Sequence, residues 1–210
     1  MDYLTIFTER SGDLINALLE HILISSIAVI LGCILAIPLG IFLTKTSIRW
    51  VHSVAFTITN IFQTIPSLAL LAMLIPLLGI GLVPAITALF LYSLLPILRN
   101  TYAAFESIDP EIIQSAKGMG YSSMQRLFQI ELPIAMPYIM SGIRLTTIYI
   151  ISWATLATLI GAGGLGQLII GGLGVYNKPL IFAAAVISMV LALITDFILG
   201  VVEKKIFDRK

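Results

Sequence analysis

Two ionisable side chains, Arg144 and Asp196, stand inside long apolar runs. Charged groups in such runs are costly, so they usually face a protein interior and find a partner. Pairing with each other is one reading of these two; snorkelling of each to the nearer water interface is the other. Covalent chemistry has less to build on. The sequence contains no G-x-x-x-x-G-K-[ST], no G-x-S-x-G and no H-E-x-x-H, and no spacing that suggests a metal site. Its two histidines, His21 and His52, flank apolar runs on what should be opposite faces. Cys33 is the single cysteine and lies within an apolar run, as packing filler does. Gly161, Gly163 and Gly166 spell G-x-G-x-x-G, yet that fingerprint works only where a strand feeds a tight turn into a helix. Here it follows an apolar helical run, so it reads as a decoy: glycines that permit close backbone approach or a bend.

The elements that position these residues are membrane helices. Of 210 residues, 59% are hydrophobic and only 11% charged, against roughly a quarter charged in soluble domains. That composition makes membrane lipid the surrounding partner, and a net charge of +1 excludes a strongly basic nucleic-acid surface, so charge matters by position rather than in sum. A bilayer-crossing helix needs about 20 mostly apolar residues. Five such spans are expected, near 22–43, 53–78, 83–99, 136–160 and 180–202. The charge-free stretch from Ser53 to Leu98 is too long for one span and should break at Gly79, Gly81 and Pro84. A glycine-rich connection joins the last two spans. The first twenty residues mix acids with apolar residues and lack a basic leader, so they read as mature sequence, with Leu14, Leu18 and Ile22 on one amphipathic face. The fold class is therefore all-α and polytopic, one membrane domain over residues 1–210 with its core in 18–202.

Orientation follows from Lys and Arg, which are enriched in short cytoplasmic loops. Five spans with the N-terminus outside put Lys45, Arg49, Arg99, Lys117, Arg126, Lys204, Lys205, Arg209 and Lys210 on one side. Only Arg10 and Lys178 fall on the other. A six-span alternative would place the tail and the Lys45 loop on opposite faces.

Residues 100–133 then form a cytoplasmic loop between the third and fourth spans. Asp109 can cap a helix that has Pro110 in its first turn and Glu111 beside the positive dipole end. That helix should stop at Gly118 and Gly120, with Lys117 near its last carbonyls. Ser122 and Gln125 have capping-box spacing for a second helix through Leu127, Phe128 and Ile130, which Pro133 should end. Ile112, Ile113, Met119, Leu127 and Phe128 are left to be buried, either on the chain's own span ends or on a cytoplasmic partner.

The spacing in QSAKGMGYSSMQRLFQIELP resembles the EAA motif of ABC-importer permeases, E-A-A-x3-G-x9-I-x-L-P. Gln114, Ser115 and Ala116 take its first three positions, Gly120 the glycine, and Ile130, Leu132 and Pro133 the ending. Gln114 and Ser115 depart from Glu and Ala. The stretches IPSLALLAMLIPLLGIG and SWATLATLIGAGGLGQLI look like segments of the small permeases for glycine betaine, carnitine or choline, and are similar to those of methionine importers. The resemblance implies a bacterial cell-membrane permease subunit, with no catalysis or cofactor of its own. ATP and Mg would bind to separate ABC ATPase subunits, on which the loop sits as coupling helices that include Gly118. It further implies a second permease copy, identical or related, and an extracytoplasmic solute-binding protein, neither it nor the ATPase being fused to this chain. For a quaternary ammonium cargo, cation–aromatic contacts from Tyr92, Tyr149 and Trp153 are the pathway candidates. A membrane sensor or assembly factor whose polar loop binds a cytoplasmic partner is the competing class.

Overall fold

The computed structural model describes Tyr3 and residues 5–208; Arg209 and Lys210, counted above in the orientation bias, lie outside the described residues. The described residues are helical almost throughout. A single turn, α1 (Ile6–Glu9), precedes α2 (Ser11–Lys45), whose 35 residues cover about 52 Å at 1.5 Å each. The expected lead-in and first span are thus one continuous helix. Leu14 buries its face against Ile6, Leu180 and Ala183, while Ile22 is exposed.

The expected second span is not straight. It consists of α3 (Arg49–Thr64) and α4 (Ser67–Leu78), bent by 101° at Ile65 and Pro66. Ile65 is extended (φ −67°, ψ 128°), as a residue before proline prefers, and Pro66 has no N–H with which to continue the ladder. Gly79 and Gly81, both with positive φ, turn the chain into α5 (Leu82–Glu106), which runs seven residues beyond the expected span end.

After α6 (Pro110–Gly118) and α7 (Ser123–Arg126), Pro133 does not end a helix. A π-helical turn over Leu127–Glu131 joins α7 to α8 (Leu132–Ala154), and Leu132 N–H donates to the Leu127 carbonyl five residues back. The widened turn places Pro133 in the first turn of α8, where its missing donor costs nothing. A 3-10 segment, Thr155–Ile160, extends α8. The glycine-rich connection is not a plain linker but holds a helix, α9 (Leu165–Gly174), before α10 (Lys178–Phe207).

Helices α2, α5 and α8 form the centre, and small residues set their spacing. A Cβ on Gly32 would lie 2.0 Å from Ser93 Oγ, one on Gly40 2.8 Å from Thr101, and one on Gly142 2.5 Å from Asn100. Close backbone approach of this kind is how helices associate where the surrounding medium is as apolar as their side chains. Helix α10 is peripheral, with Phe182, Met189, Leu193 and Phe197 more than half exposed along its outer face, as a lipid-facing span requires.

His21 does not flank a span. It is fully buried within α2 and its Nε2 hydrogen-bonds the Ile151 carbonyl at 2.9 Å, while neighbouring Glu20 accepts from Gly164 N–H at 2.9 Å. The first contact fixes α2 to the last turn of α8 and the second to the glycine turn ahead of α9. Gly166, in the first turn of α9, acts as a spacer, since a Cβ there would stand 1.9 Å from the Thr155 carbonyl oxygen.

Candidate coupling segment and translocation site

Local chemistry builds the segment from residue 107 to 131 as a defined shape. Asp109 Oδ1 accepts from Glu111 N–H at 2.8 Å, opening α6. The helix closes in a Schellman arrangement: Tyr121 N–H donates to the Ala116 carbonyl and Gly120 N–H to that of Lys117. Gly120 occupies the left-handed position with φ +85°. Ser122 and Gln125 then form a reciprocal capping box that starts α7, and Arg126 donates to the Tyr121 carbonyl across the turn.

Among the motif residues, Ala116 is 1% exposed, while Gln114, Ser115, Gly118 and Pro133 are exposed, and Ile130 and Leu132 half-buried. The apolar side chains divide. Ile113 and Leu127 pack inward on Phe105, Ile108, Ala135 and Ile139, whereas Ile112, Met119, Met124 and Phe128 stay exposed. Four exposed apolar side chains therefore remain on a segment whose backbone is well capped.

Glu131, whose sequence neighbours gave no sign of a partner, is buried in the π turn and ion-paired with Lys45 at the end of α2. Lys45 also lies over the Phe105 ring, 5.8 Å from its centroid. Both charges border a cavity of about 600 Å³ that Gln114 and Lys117 help to line.

The three pathway candidates come together from two helices. Tyr92 of α5 and Trp153 of α8 have ring centroids 4.8 Å apart, and Tyr149 stacks on Trp153 at 6.2 Å. Tyr92 O–H donates to the Ile65 carbonyl at 2.6 Å, a backbone group freed by the break between α3 and α4. Beside that contact lies a cavity of about 380 Å³, lined by Gln63, Thr64, Ser67, Tyr92 and Trp153. Aromatic faces and irregular backbone thus meet in one place, with Tyr149 47% exposed and Tyr92 buried.

Arg144 and Asp196 pair in bidentate geometry, with Nε to Oδ1 at 2.6 Å and Nη2 to Oδ2 at 2.9 Å. Glu203, one helical face along α10, takes Arg144 Nη1 at 3.0 Å. The guanidinium reaches all three oxygens because it lies across Gly200, where a Cβ would stand 2.9 Å from Cζ. The cluster joins α8 to α10.

Residues 36–208 match the family model described as binding-protein-dependent transport system inner membrane component. The chain belongs to this family. It is an integral membrane permease rather than an enzyme. It is 47% identical over 203 residues to the glycine betaine/carnitine/choline transport system permease protein OpuCB of Bacillus subtilis, covering 97% of this chain and 93% of that one. Against the choline transport system permease protein OpuBB of the same organism, identity is 49%, with coverage of 94% and 90%. The carnitine transport permease protein OpuCB of Listeria monocytogenes is 45% identical, with coverage of 96% and 92%. Among solved structures, an inward-facing MetNI methionine ABC transporter chain superposes with a TM-score of 0.81 at 25% identity, over 93% of this permease and 97% of that chain.

Three features of the permease were invisible in its sequence: Glu131 with Lys45, Glu203 with Arg144, and the Ile65–Pro66 break beside Tyr92. The ion pairs link residues 86 and 59 positions apart, for which no local spacing gives a signal. Pro66 was the one available cue to the break, but prolines also occur within helices at positions 38, 76, 96 and 137.

Proposed function

We propose that this permease imports quaternary ammonium osmoprotectants, the class to which glycine betaine, carnitine and choline belong, and that residues 107–131 couple it to a separate ATPase. The observation that carries the substrate assignment is the Tyr92–Trp153–Tyr149 cluster at the helix break, in a chain 45–49% identical to permeases named for those solutes. A quaternary ammonium cation donates no strong hydrogen bond, so aromatic faces are the natural partner. Freed backbone at a broken helix serves substrates in other transporters too, because it offers polar groups at membrane depth without an unpaired charge.

The exposed face of Ile112, Met119, Met124 and Phe128 supports docking of the segment on ABC ATPase subunits, which hold ATP and Mg. The N-out, C-in orientation puts that face in the cytoplasm, and the ion pair of Lys45 with Glu131 groups two of the positive-inside loops at one end. A second permease copy completes the pathway, and an extracytoplasmic solute-binding protein delivers the solute. One membrane domain of 1–210 is enough to act as a half-pathway that rocks between access states.

A methionine-type cargo is the second reading, favoured by the structural likeness to the MetNI chain. Purifying the chain with its ATPase tests the assignment. ATP hydrolysis should rise when a binding protein loaded with glycine betaine, carnitine or choline is added. Stimulation by a methionine-loaded binding protein alone would favour the second reading, and no stimulation by any would contradict both.

A further inference from the structure

We infer that Lys45 and Glu131 are positioning residues for energy coupling: a buried ionic strut that makes α2 move with the coupling segment. The inference rests on the proposed coupling role of residues 107–131. That segment is bound covalently to α5 through residues 107–109 and to α8 through the π turn. Helix α2 has no such link. Thr44 and Lys45 of α2 and Pro110, Ile113 and Gln114 of α6 line the same cavity of about 600 Å³. Helix α2 also packs closely on α5 through Gly32 and Gly40, and near the segment its apolar side chains Ile37 and Ile41 rest on the Phe105 and Ala135 cluster. Among the described residues, the Lys45–Glu131 pair is the one ion pair that joins α2 to the segment.

Its placement suits force transfer. The Glu131 side chain is 4% exposed and stands in the last residue of the π turn, where the segment becomes span α8. A carboxylate so withdrawn from water cannot trade its partner for solvent without a large desolvation penalty. Lys45 is the last residue of α2, 47% exposed and supported by the Phe105 face. Displacement of the segment therefore pulls on α2 through a contact that resists opening. Gln114, at the first motif position, lines the same cavity but is exposed, whereas Glu131 is buried.

The test is solute transported per ATP hydrolysed by the complete complex in liposomes, at matched amounts of assembled complex. Wild type comes first: hydrolysis that a loaded binding protein does not stimulate would refute the coupling role itself. With coupled wild type, K45M/E131L removes both charges together and should leave insertion and assembly intact. We expect transport per ATP to fall at least about fivefold, the low end of a coupling free energy, and the swapped pair K45E/E131K to regain at least half of it. Coupling unchanged in K45M/E131L overturns the strut, as does a loss that the swapped pair fails to restore. Should K45M/E131L not assemble, Glu131→Gln retains the shape and a weaker hydrogen bond; it should lower the ratio without lowering assembly, and a wild-type ratio overturns the inference.

Discussion

Gly118 and Gly120 stand two residues apart in the proposed coupling segment, yet the structure gives the two glycines opposite roles. Neither would crowd a neighbour, because a Cβ on either meets nothing within 4 Å. Any difference between substitutions must therefore come from the backbone. Gly118 closes α6 without positive φ, so Gly118→Ala should stabilise the helix by about 0.5–1 kcal/mol. Gly120 has φ +85°, where an L side chain costs roughly 1–2 kcal/mol and a β-branched one more. Gly120→Val should then increase opening of the Schellman turn by about 5–30-fold, and Gly120→Asn much less, since Asn tolerates the left-handed region. Native-state hydrogen exchange at the amides of residue 120 and Tyr121, the two donors of the turn, reads this directly. Transport per ATP should fall in the same order, Val before Asn. Equal exchange in Gly120→Val and Gly118→Ala would refute the assignment of the turn to that backbone conformation.

Gly166→Ala should lower thermal stability in detergent by about 3 kcal/mol, the upper end for overpacking, because its Cβ would press on the Thr155 carbonyl at 1.9 Å. Asp196→Asn should reduce the melting temperature more than Glu203→Gln, since it disrupts a bidentate contact with Arg144 rather than a single one. Trp153→Leu should slow uptake of quaternary ammonium solutes about 5–30-fold at saturating loaded binding protein, while solute binding to that protein is unchanged.

Four long apolar helices were legible, because a run of about 20 apolar residues is a statement about the bilayer, whereas the stretch expected as the second span is a pair of helices bent by 101°. The caps at Asp109 and Ser122 and the turn glycine at 120 were legible too, because each is decided within four residues of chain. Pairing of Arg144 with Asp196 could be anticipated from the scarcity of charge at depth, but Glu203 could not, since it reads as tail sequence until α10 is seen to extend to Phe207. Helix α9 escaped because its four glycines lower intrinsic helix propensity, and packing overrides that weak preference. Pro133 misled for a related reason: a proline stops an α-helical ladder, yet a π turn just ahead of it removes the conflict. The aromatic site was named residue by residue but not as a place, because Pro66 resembles the in-helix prolines and the contact of Tyr92 with the freed Ile65 carbonyl spans 27 residues.

ATP-driven uptake of radiolabelled glycine betaine, carnitine and choline into liposomes containing this permease, its ATPase and its binding protein tests the central claim most directly. The account predicts uptake of at least one of the three that requires ATP, the binding protein and this chain together. Uptake of none of them by a complex that hydrolyses ATP and imports methionine would contradict it.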